Sequence, residues 1–585
     1  MSEIPIKIRT FAKLKKQLNP KLLIMKTKGL LLATAVVLLT SCSGKLGQLS
    51  SDNFKVNPNP LETEAGQVTA TINGTFPEKF MKKKAVVKVI PELQYLKNGQ
   101  LQVVKGQPAT FQGEKVLGNN QTISYKLGGH YTMKTTFNYV PEMQKSELYL
   151  AFDATVGSKK VKVPEVKVAD GVIATSELYR KTLLQSGGSV AQDGFQRVVA
   201  QKQEANIKFL IGQAQLRKSE LQNNSVKEFV RLLSTIVKDQ EGMLLDGVEV
   251  SAYASPDGGF KVNERLAGKR QDVAEKYVAK EMKKAKLDAT VDTKYTAEDW
   301  EGFQELVAAS DIQDKDVILR VLSMYQDPEE REQQIKNISS AFRELADGIL
   351  PQLRRARLTI NYELIGRDDE QIQEQFKSDA TKLSIEELLY GATLDEDNAA
   401  AAEAYYKKAV ELYPNDARAY NNLAVLAYAK GNDKEASQWV AKAQKQNNNL
   451  AEANANLGLL ALKQGDMLNA ESYIAKASSA NGLQEVLGNL HLAQGKYAQA
   501  EQDFGNLKTN SAALAQILNK NYQAAANTLK GVKNADATTF YLAAILNART
   551  GNNAEAAQAL QKAIAKDPTL AEYAAKDLEL VNIKK

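Results

Sequence analysis

Residues 384–585 repeat themselves. The stretch ARAYNNLAVLAYAKGNDKEASQWVAKA, from Ala417, and the stretch AEANANLGLLALKQGDMLNAESYIAKA, from Ala451, superimpose at an offset of 34 residues. Leu423 falls on Leu457, Gly431 on Gly465, Ala436 on Ala470 and Ala443 on Ala477. A unit this short cannot bury an apolar face by itself, so it must stack on its neighbours to form a continuous core. Gly495 and Gly551 continue the series of turn glycines, and Ala500 and Ala556 continue the series of small residues. Pro414 and Pro568 fall between units. Six units are expected, the one around Asn519–Lys530 shortened, and Ser384-Ile385-Glu386-Glu387 opens the region with the spacing of a capping box.

This pattern resembles the tetratricopeptide repeat, a pair of helices per unit. The resemblance implies that each glycine ends the first helix and each alanine lets the second cross it closely. It also implies that the first helices line a concave face, on which Asn421, Asn422, Tyr428, Asn456, Lys463 and Asn489 are expected to meet a protein partner. Trp439, Trp300 and His491 read as packing residues.

The other end of the chain holds its only cysteine. Lys26 and Lys28 precede an apolar run, Leu30 to Leu39, that is too short to span a bilayer. A basic head, a short apolar run and small residues before a boundary describe an export signal. Leu39-Thr40-Ser41-Cys42 resembles the bacterial lipobox, which implies lipid on Cys42 after cleavage. Ser43 follows in place of an acidic retention residue, which by the same resemblance implies the outer membrane, facing the periplasm. Several acyl chains together anchor far more firmly than one. The expected order is a leader and signal peptide (1–41), a polar tether (42–60), a β sandwich (61–175), a mixed domain (176–366), a linker (367–383) and the repeats (384–585).

Within 61–175, Val68, Ala70 and Ile72 alternate with Thr69, Thr71 and Asn73, and about seven short strands are expected to form an antiparallel sandwich. His130 lies in such a strand and has no companion that would make it a metal ligand. From 176 to 366 the expected order is strand, helix, strand, turn, helix, strand. The helix at Val226–Val237 has apolar residues at helical spacing, Val248, Val250 and Ala252 share one strand face, and Leu266, Val273 and Tyr277 mark the inner face of the second helix. Ala356, Leu358, Ile360 and Tyr362 alternate in the last strand, after an acidic helical insertion.

That order, with Asn263, Leu266 and Arg270 in NERLAGKR and the pair Arg354-Arg355, resembles the OmpA-like peptidoglycan-binding domain. The resemblance implies that Arg270 grips the carboxylate of the peptide stem through a bidentate, charge-assisted pair. The family's aspartate position, eight residues before Asn263, is Ser255 here, and Asp257 stands two residues later. Two alternatives follow: peptidoglycan is bound with Asp257 answering its ammonium, or the fold serves as a protein-binding module.

At 43% apolar and 25% charged residues the composition is that of folded domains. No basic stripe interleaved with aromatic residues points to nucleic acid. Nucleophile-elbow, zinc-protease, phosphate-loop and dinucleotide motifs are absent from the sequence, so neither an enzyme nor a cofactor is expected. The reading is a multidomain, non-enzymatic envelope lipoprotein: an N-terminal all-β sandwich, a central α+β OmpA-like domain and a C-terminal all-α solenoid. Alternatively, it is a subunit of an envelope assembly or secretion complex.

Overall fold

The computed structural model describes residues 46–581 and 583, apart from 313, 338–342 and 396. Cys42, the leader (1–41) and the first residues of the expected tether lie outside the described residues. Two compact units are present: one runs through Ala174 and includes Tyr573–Asn582, and the other spans Thr175–Glu572.

The first unit is two β sheets around one apolar core. One sheet has the order β1-β3-β2-β12, with β8 paired to β3; here β1 is Phe54–Asn57, β2 Leu61–Glu64, β3 Gln67–Phe76, β8 Gly129–Asn138 and β12 Val172–Ile173. The other has the order β10-β9-β4-β6-β7, with β11 on β9 and β5 on β4. Its strands are β4 Ala85–Lys97, β5 Gln100–Lys105, β6 Ala109–Gly113, β7 Gln121–Ile123, β9 Ser146–Val156, β10 Lys159–Val161 and β11 Val166–Asp170. A strand places alternate residues on one face, and Val68, Ala70 and Ile72 are all buried, as their alternation predicts. They meet Val87, Val89 and Leu93 of β4 and Leu148 and Leu150 of β9 in one cluster. The sandwich is richer than the seven strands expected. It also absorbs much of the expected tether, because Phe54 is buried opposite Gly74. His130 is an exposed strand residue, its Nδ1 2.9 Å from the Thr75 hydroxyl.

The second unit contains a four-stranded sheet of order β13-β16-β14-β15. β13 is Val198–Lys208, β14 Met243–Tyr253, β15 Val291–Thr296 and β16 Arg355–Ile365. β16 lies antiparallel between β13 and β14, while β15 runs parallel to β14. Parallel neighbours need a long crossover, which the helix Phe260–Ala285 supplies. β15 was not expected, because its exposed, polar VDTKYT carries no alternating apolar face. The helix Phe260–Ala285 also turns its inner face one residue from the expected phase. Ala267, Ala274 and Val278 are buried, while Leu266, Val273 and Tyr277 sit half-buried beside them. Small residues face the sheet and let the helix approach, so the larger ones cover its flanks. The insertion has its own core around Phe303, Val307, Ile318, Leu345 and Leu353.

The expected linker is not a linker. Asp369–Asp379 is a helix, opened by a capping box between Asp368 and Gln371. Ile372 is buried, and the Phe376 ring stacks on Tyr405 at 3.8 Å. Helix pairs then follow from Ile385 to Lys566. The Ser384–Glu387 capping box is present. The turn glycines are left-handed, Gly431 at φ 74° and Gly465 at φ 80°, a conformation that glycine adopts without steric cost. Ala436, Ala470, Ala500 and Ala556 are buried at the helix crossings. Trp439 packs near Tyr420, Trp300 against Phe303, and His491 pairs with Asp503.

Candidate functional site

The concave face of the repeats is filled by the chain itself. Thr175–Gln185 forms short helical turns, and Ser186 to Gln196 carries neither helix nor strand. This strap runs against the order of the repeats. Gln185 meets Asn510 and Asp536, Ser189 meets Asn456, Ala191 meets Asn422, and Gly194 meets Glu386. The expected domain boundary at 176 therefore moves: residues 175–197 belong to the groove, and the sheet begins at Val198.

Two asparagines read the backbone of the strap as a neighbouring strand would. The Asn422 amide accepts from the Ala191 N–H at 2.8 Å and donates to the Ala191 carbonyl at 2.9 Å. The Asn456 amide does the same at Ser189, at 2.7 Å for both bonds. The two stand at equivalent positions, 34 residues apart, so one repeat advances the reading by two residues. Asn421 donates to the same Ser189 carbonyl at 2.9 Å, and its oxygen accepts from Asn456 at 2.9 Å. The buried Tyr428 hydroxyl donates to the Leu183 carbonyl at 2.6 Å, and burial raises the pKa of this phenol. Asn489 donates to the Ser186 hydroxyl at 3.2 Å. Of the six concave-face residues expected from the sequence, five touch the strap. Lys463 instead forms an ion pair with Asp433 at 2.5 Å, over the Tyr428 ring.

The strap suits this reading. A Cβ at Gly188 (φ 70°) would stand 3.1 Å from the Asn456 oxygen and 3.3 Å from Val425, so a side chain there would lift the backbone off the clamp. Several partners were not legible in advance. Arg418 forks onto Glu386 at 2.7 and 2.9 Å, and Glu386 accepts from the Gly194 N–H at 2.5 Å. Phe195 stacks on Tyr390 at 4.5 Å. The Arg418–Glu386 pair had a signal, two opposite charges on neighbouring first helices. The strap had none.

Glu485 accepts from the Ser186 hydroxyl at 3.2 Å, and burial raises its carboxyl pKa above the ordinary 4.5. A raised carboxyl binds its proton more tightly in the folded state. Its contribution is therefore full below about pH 4.5 and is lost as pH rises through the raised value. Thermal unfolding of Glu485→Gln is expected to lose this dependence above pH 4.5. The prediction fails if the wild-type and variant curves stay parallel.

The residues of the OmpA-like resemblance also come together, in a different arrangement. The Ser255 hydroxyl donates to Asp257, and Arg354 holds both, at 3.1 Å to Ser255 Oγ and 3.0 Å to Asp257. Asn263 donates to the carbonyls of Ser255 at 3.0 Å and Gly258 at 2.7 Å, fixing the turn. Arg270 is 1% exposed. It donates to the carbonyls of Gln213 at 3.1 Å, Tyr253 at 2.8 Å and Leu210 at 3.4 Å. Burial, then the charge of Arg354, pull its guanidinium down to about 10, against the opposing pull of Asp257. The fork that would take a carboxylate is spent on backbone.

Two tetratricopeptide repeat family models match the chain, at residues 393–460 and 451–482. No curated protein matches significantly. Among solved structures, PilF of Pseudomonas aeruginosa is similar at 20% identity, over 35% of this chain and 97% of that one, with a TM-score of 0.26. A tetratricopeptide repeat protein from Parabacteroides merdae is similar at 15% identity, over 43% of this chain and 98% of that one, with a TM-score of 0.27. YrrB, described as having an unusual peptide-binding site, is similar at 22% identity, over 36% of this chain and 100% of that one, with a TM-score of 0.20. With the left-handed turn glycines, the buried crossing alanines and the two family matches, the C-terminal region is an all-α repeat array consistent with tetratricopeptide repeats, which the family models match over residues 393–482.

Proposed function

We propose that this chain is a non-enzymatic scaffold of the bacterial envelope, held in the outer membrane by lipid on Cys42, facing the periplasm. Its repeats recruit a protein partner as an extended segment, read through its backbone. The paired asparagine clamps carry this reading, since they recognise an extended chain of small residues whatever its wider sequence. The lipobox resemblance supports the anchor. Cys42→Ser is expected to abolish labelling by an alkyne fatty acid and to make the membrane-bound protein extractable at high salt. Unchanged labelling would remove the anchor from the reading.

For the central domain we favour a protein-binding role on an OmpA-like fold. The enclosure of Arg270 by three carbonyls and the closed Asp257–Arg354 pair support it over a grip on the peptide stem. The full chain is expected not to sediment with purified sacculi at physiological salt. Sedimentation above a boiled control, weakened by Asp257→Asn, would restore the wall-binding alternative.

A further inference from the structure

Several loops of the β sandwich leave it at one end. Phe76 opposite Gly129 closes β3 on β8, Ala85 opposite Val156 closes β4 on β9, and the parallel strands β6 and β7 end side by side at Gly113 and Ile123. The loops beyond are stitched together through their backbones. The Lys115 N–H donates to the Lys83 carbonyl at 2.7 Å, Lys79 N–H to Tyr125 at 2.7 Å and Gly157 N–H to Lys84 at 2.9 Å. Residues 77–84, 114–128 and 157–160 bring eight lysines and two glutamates to this end. Two leucines protrude among them: Leu117 is 101% exposed and Leu127 83%. One exposed leucine needs no explanation. Two on segments tied together by the Ser124–Glu114 hydrogen bond at 3.0 Å, with Lys115 and Lys126 close by in the chain, combine an inserting side chain with a surface that attracts anions.

The start of the described chain points to the occupant. Leu46 is buried in the sandwich core, and Gly47 lies against Phe80 of the 77–84 loop, where a Cβ would stand 3.4 Å from the ring. Cys42 is five residues before Gly47. At about 3.3–3.6 Å per residue, that reach is no more than about 18 Å. A lipid on Cys42 would hold this end, rather than any other, at the membrane.

We propose that this end of the sandwich is a membrane-docking surface. Leu117 and Leu127 enter the interfacial layer of an anionic phospholipid bilayer, and Lys79, Lys82, Lys83, Lys84, Lys115 and Lys126 face its headgroups. The argument from the anchor rests on the lipoprotein reading; the leucines and lysines stand without it.

The test uses the chain from Ser43 onward, which keeps every described residue and carries no acyl group. Vesicle co-sedimentation is measured at about 0.1 M salt, where charges act over about 10 Å. The chain is expected to bind phosphatidylcholine vesicles containing about one third phosphatidylglycerol and to stay free of pure phosphatidylcholine. Leu117→Ser with Leu127→Ser should lower the partition by roughly tenfold or more. Lys82→Gln, Lys83→Gln and Lys84→Gln together should lower it comparably and flatten its salt dependence. Circular dichroism would establish that the variants fold. No binding to anionic vesicles, equal binding to neutral ones, or indifference to both sets of substitutions overturns the proposal, as does binding only to acidic proteins. Failure of the anchor reads out separately, as an unmodified Cys42 in the mass of the membrane-fraction protein.

Discussion

Asn422→Ala combined with Asn456→Ala is expected to release the strap from the groove. Each asparagine holds both the N–H and the C=O of one strap residue, Ala191 or Ser189, and both of those residues are buried. Truncation leaves the buried Ser189 N–H and both the N–H and the C=O of Ala191 without partners, while the Ser189 carbonyl keeps Asn421, at roughly 1–3 kcal/mol for each lost group. The double change should cost about 4 kcal/mol or more, allowing for some solvation as the strap lifts. Segments held by few contacts open locally before the whole domain unfolds. Amides from Ser186 to Phe195 should therefore exchange far faster, while those of the helix pairs keep their protection. A protease should also cut within Ser186–Gln196. Unchanged exchange at Ser189 and Ala191 would show that the apolar contacts of Leu183 and Phe195 hold the strap without the clamps.

Arg270→Ala should be the most damaging single change in the central domain. It removes donors from three backbone carbonyls, Leu210, Gln213 and Tyr253, that converge on one buried guanidinium. It also removes the cation lying over the Phe209 ring at 5.2 Å. Unsatisfied carbonyls and a cavity together suggest a loss of about 3–5 kcal/mol. Arg270→Lys should recover little, because a point charge on a flexible stem does not reproduce a planar fork. Urea unfolding followed by circular dichroism measures this. A variant as stable as the wild type would mean that the guanidinium is not a structural keystone and is free for a ligand.

Periodic features of the fold were legible in the sequence, and aperiodic ones were not. Gly431 and Gly465 announced left-handed helix ends because no other residue fits there as easily. Val248, Val250 and Ala252 announced a strand face by alternation. The helix Asp369–Asp379 was missed because only Ile372 and Phe376 among its residues are apolar, too few for a stripe to stand out from a polar run. In Phe260–Ala285 the expected phase followed the larger residues, whereas the sheet selected small ones to allow close approach. At the groove, the repeat phase put Asn422 and Asn456 on first helices, and both meet the strap. What they hold was hidden. A backbone-reading site leaves its mark on the reader, and the segment read needs only to be mostly small and free of helix and strand, as Ser186–Ala191 is.

Covalent attachment of the strap changes what any competitor must do. A segment joined to its own site acts as though present at millimolar concentration, whereas a free partner acts only at its actual concentration. A partner with micromolar intrinsic affinity would therefore leave most grooves occupied by Ser186–Gly194. Exchange favours a partner that first captures a groove position the strap leaves as it frays, then advances along the clamps one repeat at a time. One entry point is the Phe195 end, where a stacked ring, the Gly194 N–H bond to Glu386 and the Arg418 bond to the Gln192 carbonyl hold the chain. The array then behaves as a zipper: the speed of exchange is governed by the rate of opening at that end, while occupancy stays set by affinity and concentration.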